Sequence, residues 1–161
     1  VYLLEAFKQL KGENISLDIY GEGMLREELT SIINEHKLPV RLMGKISNLQ
    51  EVIGNYDLFV LSSLYEGFSL AVLEGMVMGK PMLLSAIPTF TEQCADTATY
   101  FSLSNVHDLV EKIRFLHNNP AVAVSLATKG QARALQHFTL QHHLQELRKI
   151  YNRELNAVNK H

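Results

Sequence analysis

Hydrophobic positions along the 161 residues switch repeatedly between a helical period and short unbroken runs, which predicts helices alternating with buried strands. Leu3, Phe7 and Leu10 share one helical stripe, and Ile15 to Tyr20 then alternates as a strand running into a turn at Gly21 and Gly23. Leu25, Leu29, Ile32 and Ile33 recur at i, i+4, i+7 and i+8, so a helix is expected through about residue 36, ended by Pro39. Val40 to Met43 reads as a short strand, and Leu49, Val52, Ile53 and Tyr56 mark a short helix. The run Leu58-Phe59-Val60-Leu61 is expected to be the buried central strand. Residues 69–78 form the next helix, Met82 to Ser85 a strand, Thr89 to Cys94 a short helix, and Ala98 to Phe101 a last short strand. From Val106 the pattern is helical throughout. Val106, Leu109, Val110, Ile113 and Leu116 trace one stripe that Asn118-Asn119-Pro120 breaks, a second helix runs to about Gln136, and Leu140, Leu144, Leu147, Tyr151, Leu155 and Val158 trace a third.

Strands and helices alternating at this spacing imply βαβ crossovers. The expected fold is α/β: a Rossmann-like, mostly parallel sheet covered by helices on both faces, with a helical C-terminal tail. The 161 residues suit one domain, residues 1–161, with no internal repeat or low-complexity tract. The opening helix has no initiating Met, cap or preceding strand, so the chain reads as a fragment.

Composition narrows the function. Apolar residues at 47% and charged residues at 20% fit a globular protein, and a net charge of −2 without a Lys/Arg cluster gives no footprint for nucleic acid. No apolar run approaches the ~20 residues that span a bilayer, and the opening residues do not read as a signal peptide. The single cysteine, Cys94, excludes an internal disulfide and fits a reducing cytoplasm. Neighbouring His142 and His143 point about 100° apart on a helix, and His107, His117 and His137 lie in separate contexts, so no metal site is expected.

The candidate chemistry lies after the run ending at Leu61. Ser62 to Phe68 reads as the loop leaving the strand's carboxyl end, with Ser69 as the N-cap of the following helix. Unpaired N–H groups and the positive helix end suit a diphosphate there, where open α/β sheets bind ligands. Glu74, about one turn into that helix, is placed to accept hydrogen bonds from a diol.

The segment Tyr65-Glu66-Gly67-Phe68-Ser69-Leu70-Ala71-Val72-Leu73-Glu74 and the following Gly75 to Ser85 resemble family 4 (group 1) retaining glycosyltransferases of the GT-B fold. Ile19-Tyr20-Gly21-Glu22-Gly23, Leu42-Met43-Gly44-Lys45-Ile46 and Tyr56 to Ser63 match in order and spacing, so the resemblance to the family's donor-binding C-terminal domain covers nearly the whole chain. It implies that Glu74 meets the ribose hydroxyls and that Glu66, the catalytic candidate, orients the donor sugar. Gly67, Phe68, Ser69 and Leu70 would face the diphosphate through backbone, Gly21 would lie near the donor, and Gly44 and Lys45 would approach the base. Ser69 stands where relatives commonly have Gly, and Ala86 to Glu92 replaces a paired-glycine loop on the acceptor side.

The implied partners are a UDP- or GDP-type nucleotide-sugar donor and a glycan or lipid acceptor, the latter bound by an N-terminal domain upstream. No cofactor is implied, and the D-x-D element of metal-dependent transferases of the other major fold is missing. In the family, a strand and loop before the opening helix carry an Arg and a Lys for the diphosphate. The terminal helix packs toward the N-terminal domain, so its exposed stripe would favour dimers of a fragment. The complete protein would be cytoplasmic, with peripheral attachment to the membrane's inner face left open. A non-catalytic nucleotide-binding or interaction domain and a GT-B sugar-nucleotide epimerase stand as alternatives; a two-carboxylate glycosidase fits the strand–loop–helix context less well.

Overall fold

The computed structural model describes residues 2–158, with side chains through Arg153. The elements run α1 (Tyr2–Gln9), β1 (Leu17–Tyr20), α2 (Arg26–His36), β2 (Val40–Gly44), α3 (Gln50–Ile53), β3 (Phe59–Leu61), α4 (Leu70–Val77), β4 (Met82–Ser85), α5 (Pro88–Cys94), β5 (Thr99–Phe101), α6 (Val106–Asn118), α7 (Pro120–His137) and α8 (Leu140–Val158). Every strand pairing is parallel, as helical crossovers require.

β4 organises the packing. All four of its residues are buried, and its side chains alternate between two hydrophobic clusters, one on each face. Leu83 joins Leu4, Phe7 and Leu10 from the α1 side and Leu109, Val110, Ile113 and Leu116 of α6. Met82 and Leu84 point the other way, against Val72 and Met76 of α4, Phe90 and Cys94 of α5, and Ala134 of α7. These are the two helical layers of a Rossmann-like domain.

The strands form two hydrogen-bonded groups, β1-β2 and β3-β4-β5. The expectation that Leu58 to Leu61 is the buried centre is therefore corrected: β3 is half-buried and ends its group, while β4 is the centre. Among the described residues no ladder joins β1 to β3. Between them runs a slot whose walls are residues 17–20 on one side and 59–61 on the other, opening into cavities of about 560 and 590 Å³. Leu3 of α1 lines the first and Phe7 the second, so α1 lies along the slot.

A polar strut ties the two groups together. The Asp18 carboxylate, whose side chain is wholly buried, accepts from Arg41 Nε and Nη2 at 2.7 and 2.6 Å and from the Tyr56 hydroxyl at 2.6 Å. Tyr56 in turn lies 2.7 Å from the Tyr20 hydroxyl. The Arg41 hydrogen bond holds the Asp18 carboxyl below the usual carboxylate range; burial opposes this and the Tyr56 bond adds to it. Because the folded pKa lies under the unfolded one, the strut's contribution is complete above the ordinary carboxylate value and is lost as pH falls through the folded value. The urea midpoint of the parent should therefore drop further than that of Asp18→Asn between about pH 5 and about pH 2. Equal drops would show that the strut does not stabilise the fold.

Helix α2 ends where expected but through a different feature. It stops at His36 because Lys37 takes a left-handed conformation, φ 50°, whose N–H bonds back to the Asn34 and Ile33 carbonyls; Pro39 only follows that cap. The terminal stripe is exposed at Leu140, Leu144 and Tyr151 and half-buried at Leu147, while the side chains of Leu155 and Val158 lie outside the described residues. Among the described residues no helix is long and apolar enough to cross a membrane.

Candidate functional site

The site lies where β1, β2 and β3 end. Tyr20 runs into Gly21, whose N–H donates to the Gly44 carbonyl at 2.8 Å, so the ends of β1 and β2 are joined beyond the ladder. Ile19 pairs with Leu42 but Tyr20 pairs with Gly44, leaving Met43 as an extra residue that bends β2 outward. Both glycines have positive φ, 131° and 78°, and a Cβ on Gly44 would come within 3.0 Å of Glu22 Oε1. A side chain at either position would strain the turn that presents Lys45.

After β3 the chain enters the Ser62–Phe68 loop and then α4. Ser69 is the N-cap: its backbone is extended, φ −94° and ψ 108°, and its Oγ accepts from the Val72 N–H at 3.3 Å. Glu66 is half-buried in the loop. Its Oε1 accepts from Ser63 Oγ at 2.8 Å, and the Ser63 carbonyl accepts from Ser85 Oγ, at the end of β4, at 2.6 Å. The Glu66 carbonyl accepts from Thr89 Oγ1 at 2.7 Å. Glu66 is thus fixed through both its side chain and its backbone.

Gly21, Lys45 and Glu74 meet at the cavity of about 560 Å³, together with Ser62 and Ala71. The half-buried Glu74 carboxylate takes no hydrogen bond or ion pair from any described residue, which leaves its acceptor capacity unused by the protein beside the cavity. Gly44 adjoins through its bond to Gly21 without lining the cavity. Glu66, Gly67, Phe68, Ser69 and Leu70 do not line it either; they form the end of the loop and the start of α4 beside it, with Gly67 and Leu70 exposed and the Phe68 ring packed 5.7 Å from that of Phe138. Of the nine candidate residues, Gly21, Lys45 and Glu74 line this cavity.

Sequence reasoning missed Ser47 and Asn48, which border the cavity after β2, where Asn48 Oδ1 accepts from the Gln50 N–H at 3.1 Å and shapes the start of α3. The Asn followed by a short apolar period was the available signal. Also missed were Thr89 and Gln93, which hold the Glu66 loop from α5. Among the described residues no three His, Cys, Asp or Glu side chains converge as a metal site would require. Leu64 and Tyr65 stand 82% and 86% exposed on the same loop, so that edge is apolar and open.

The family model for glycosyl transferases group 1 matches residues 1–133. Among curated relatives, a trehalose synthase of Pyrococcus horikoshii is 28% identical over 132 residues, 82% of this chain and 30% of that protein. A poly(ribitol-phosphate) alpha-N-acetylglucosaminyltransferase of Staphylococcus aureus is 24% identical over 147 residues, 88% of this chain and again 30% of the relative. The chain thus spans about a third of the length of these proteins. Among solved structures, Anabaena HepE in complex with UDP superposes with a TM-score of 0.85 at 19% identity, covering 94% of this chain and 44% of that one, a likeness of fold. With the strand-end cavity, the capped loop and a family match over most of its length, the chain belongs to the group 1 glycosyl transferases and has the Rossmann-like fold of GT-B enzymes.

Proposed function

We propose that these residues are the donor-binding half of a retaining glycosyltransferase that takes a sugar from a UDP- or GDP-type nucleotide. The observation that carries this reading is the convergence of Gly21, Lys45 and the unpartnered Glu74 on one cavity at the strand ends, in a chain of this family. Glu74 accepts from the ribose diol, Lys45 faces the base, and the amides that open α4 meet the diphosphate. Glu66 orients the sugar from the adjoining loop. Retention of configuration is part of the reading through the resemblance of the Glu66–Glu74 segment. The relatives named for poly(ribitol-phosphate) and O-antigen synthesis favour a polysaccharide or glycolipid acceptor.

The slot between β1 and β3 supports a further part of the proposal: an extended segment of the longer protein, upstream of α1, runs parallel to both strands. Leu3 lines the cavity beside Gly21 and Ser62, so α1 begins at the end where such a strand would finish. A strand there would pair both open edges and leave the mouth of the cavity for the donor. An acceptor domain would lie farther upstream, the two halves closing on the sugar.

Calorimetry with uridine, guanosine and adenosine diphosphates on the protein containing both halves tests this. One should bind, Glu74→Gln should weaken it roughly tenfold or more, and the 161-residue chain alone should bind it more weakly than the whole protein. Unchanged affinity in Glu74→Gln would remove the ribose role.

A further inference from the structure

One face of α5 grips the loop that carries Glu66. Thr89 and Gln93 stand four residues apart, so their side chains leave the helix on the same side. Thr89 Oγ1 donates to the Glu66 carbonyl at 2.7 Å. One turn later Gln93 Nε2 donates to the Ser69 carbonyl at 3.0 Å, while its Oε1 accepts from the Ser69 N–H at 3.4 Å. A side-chain amide that meets both backbone groups of one residue fixes that residue as a neighbouring strand would. Gln93 is only 3% exposed and Ser69 5%, so water cannot replace these bonds if they are lost. The helix is anchored from behind as well, since Arg133 of α7 donates through Nε to the Gln93 carbonyl and through Nη2 to the Glu92 carbonyl, both at 2.9 Å.

We propose that Thr89 and Gln93 are positioning residues for sugar transfer. Neither touches the donor. They hold the two ends of the Glu66–Ser69 segment one helical turn apart on α5, which fixes the loop carrying Glu66 relative to the amides opening α4. Thr89 governs the Glu66 end and Gln93 the α4 end, so removing each should injure a different step. The inference rests on the reading of Glu66 and the α4 amides as donor-facing groups.

The test uses the full-length enzyme and whichever nucleoside diphosphate binds the parent. Thr89→Val keeps the shape and removes the hydroxyl; Thr89→Ser keeps the hydroxyl; Gln93→Met keeps the length and removes both hydrogen bonds. A small misplacement of a reacting group is costly, so Thr89→Val should lower kcat about tenfold with diphosphate affinity unchanged, and Thr89→Ser should recover most of it. Gln93→Met should weaken diphosphate affinity about tenfold and speed amide exchange at Ser69, whose N–H loses its buried acceptor. If Gln93→Met fails to fold, the Thr89 pair decides. Glu66→Ala is run beside them. Parental turnover in Glu66→Ala would overturn the site assignment on which the inference rests. A slow Glu66→Ala together with parental kcat in Thr89→Val and parental affinity in Gln93→Met, whatever their melting temperatures, would overturn the positioning role alone.

Discussion

Glu66→Ala, made in the protein that carries both halves, should lower turnover by about a hundredfold and change diphosphate affinity by less than about threefold. The asymmetry follows from where the residue sits. Glu66 stands on the loop outside the cavity that holds Gly21, Lys45 and Glu74, and in the proposed reading its carboxylate faces the sugar while the backbone amides opening α4 serve the diphosphate. It is nevertheless held firmly, by Ser63 Oγ at its side chain and Thr89 Oγ1 at its carbonyl, with Ser63 itself tied to Ser85 at the end of β4. In the proposed role a charge placed this rigidly would cost no reorganisation as the sugar bond breaks, and the benefit would appear in the transition state rather than in binding. Steady-state kinetics at saturating donor, paired with calorimetry, separates the two quantities. A kcat within about twofold of the parent would remove Glu66 from the reaction.

Phe90→Ala should destabilise the fold by about 3–5 kcal/mol. Phe90 is completely buried in the cluster formed by α4, β4, α5 and α7, and its removal leaves a hole between elements that are each fixed elsewhere. Collapse around the hole is restricted because Tyr100 bonds to the carbonyls of both Phe90 and Ala95. Set against a total stability of about 5–15 kcal/mol for a domain, this is a large share. Urea titration of parent and variant measures it, and a loss under about 1 kcal/mol would mean that α5 is not seated on the core. Since α5 also carries Thr89 and Gln93, the same variant should loosen the Glu66 loop before the whole fold is lost.

Most elements were legible from hydrophobic spacing. Met82 to Ser85 appears with its expected bounds, the stripe from Val106 to Leu116 becomes α6, and Ser69 caps α4 as its residue type suggested. The position of β3 was not legible. An apolar run records that both faces of a strand are covered, but nothing in it records whether both edges are paired, and among the described residues β3 pairs with no strand on the side facing β1. The end of α2 near residue 36 was legible but its cause was not: Lys37 adopts the left-handed conformation that glycine or asparagine usually marks, so no residue type signalled the cap.

The site was legible in part for similar reasons. Gly21 and Lys45 each follow a strand end directly, Glu74 lies one turn into the helix after β3, and parallel strands bring their carboxyl ends together without further information. The contribution of α5 depends on contacts across 23 and 24 residues, made by a threonine and a glutamine whose types suit a solvated surface equally well. Burial of Gln93 decides between those roles, and burial is a property of the assembled fold. The strut from Asp18 to Tyr56 escaped notice on the same grounds, because its members lie 38 residues apart.

Cys94 lies in the same cluster as Phe90, wholly buried, with Sγ 3.6 Å from the Met76 sulfur, and burial pushes its thiol up to about 11. Oxidants and alkylating agents need an accessible thiolate, so the folded domain offers them nothing to attack near neutral pH. As the sole sulfhydryl of these 161 residues, it becomes reactive only in molecules whose interior has come apart. Oxidative damage at this residue would therefore follow the loss of native packing and act as a mark of spent molecules, leaving working ones chemically silent.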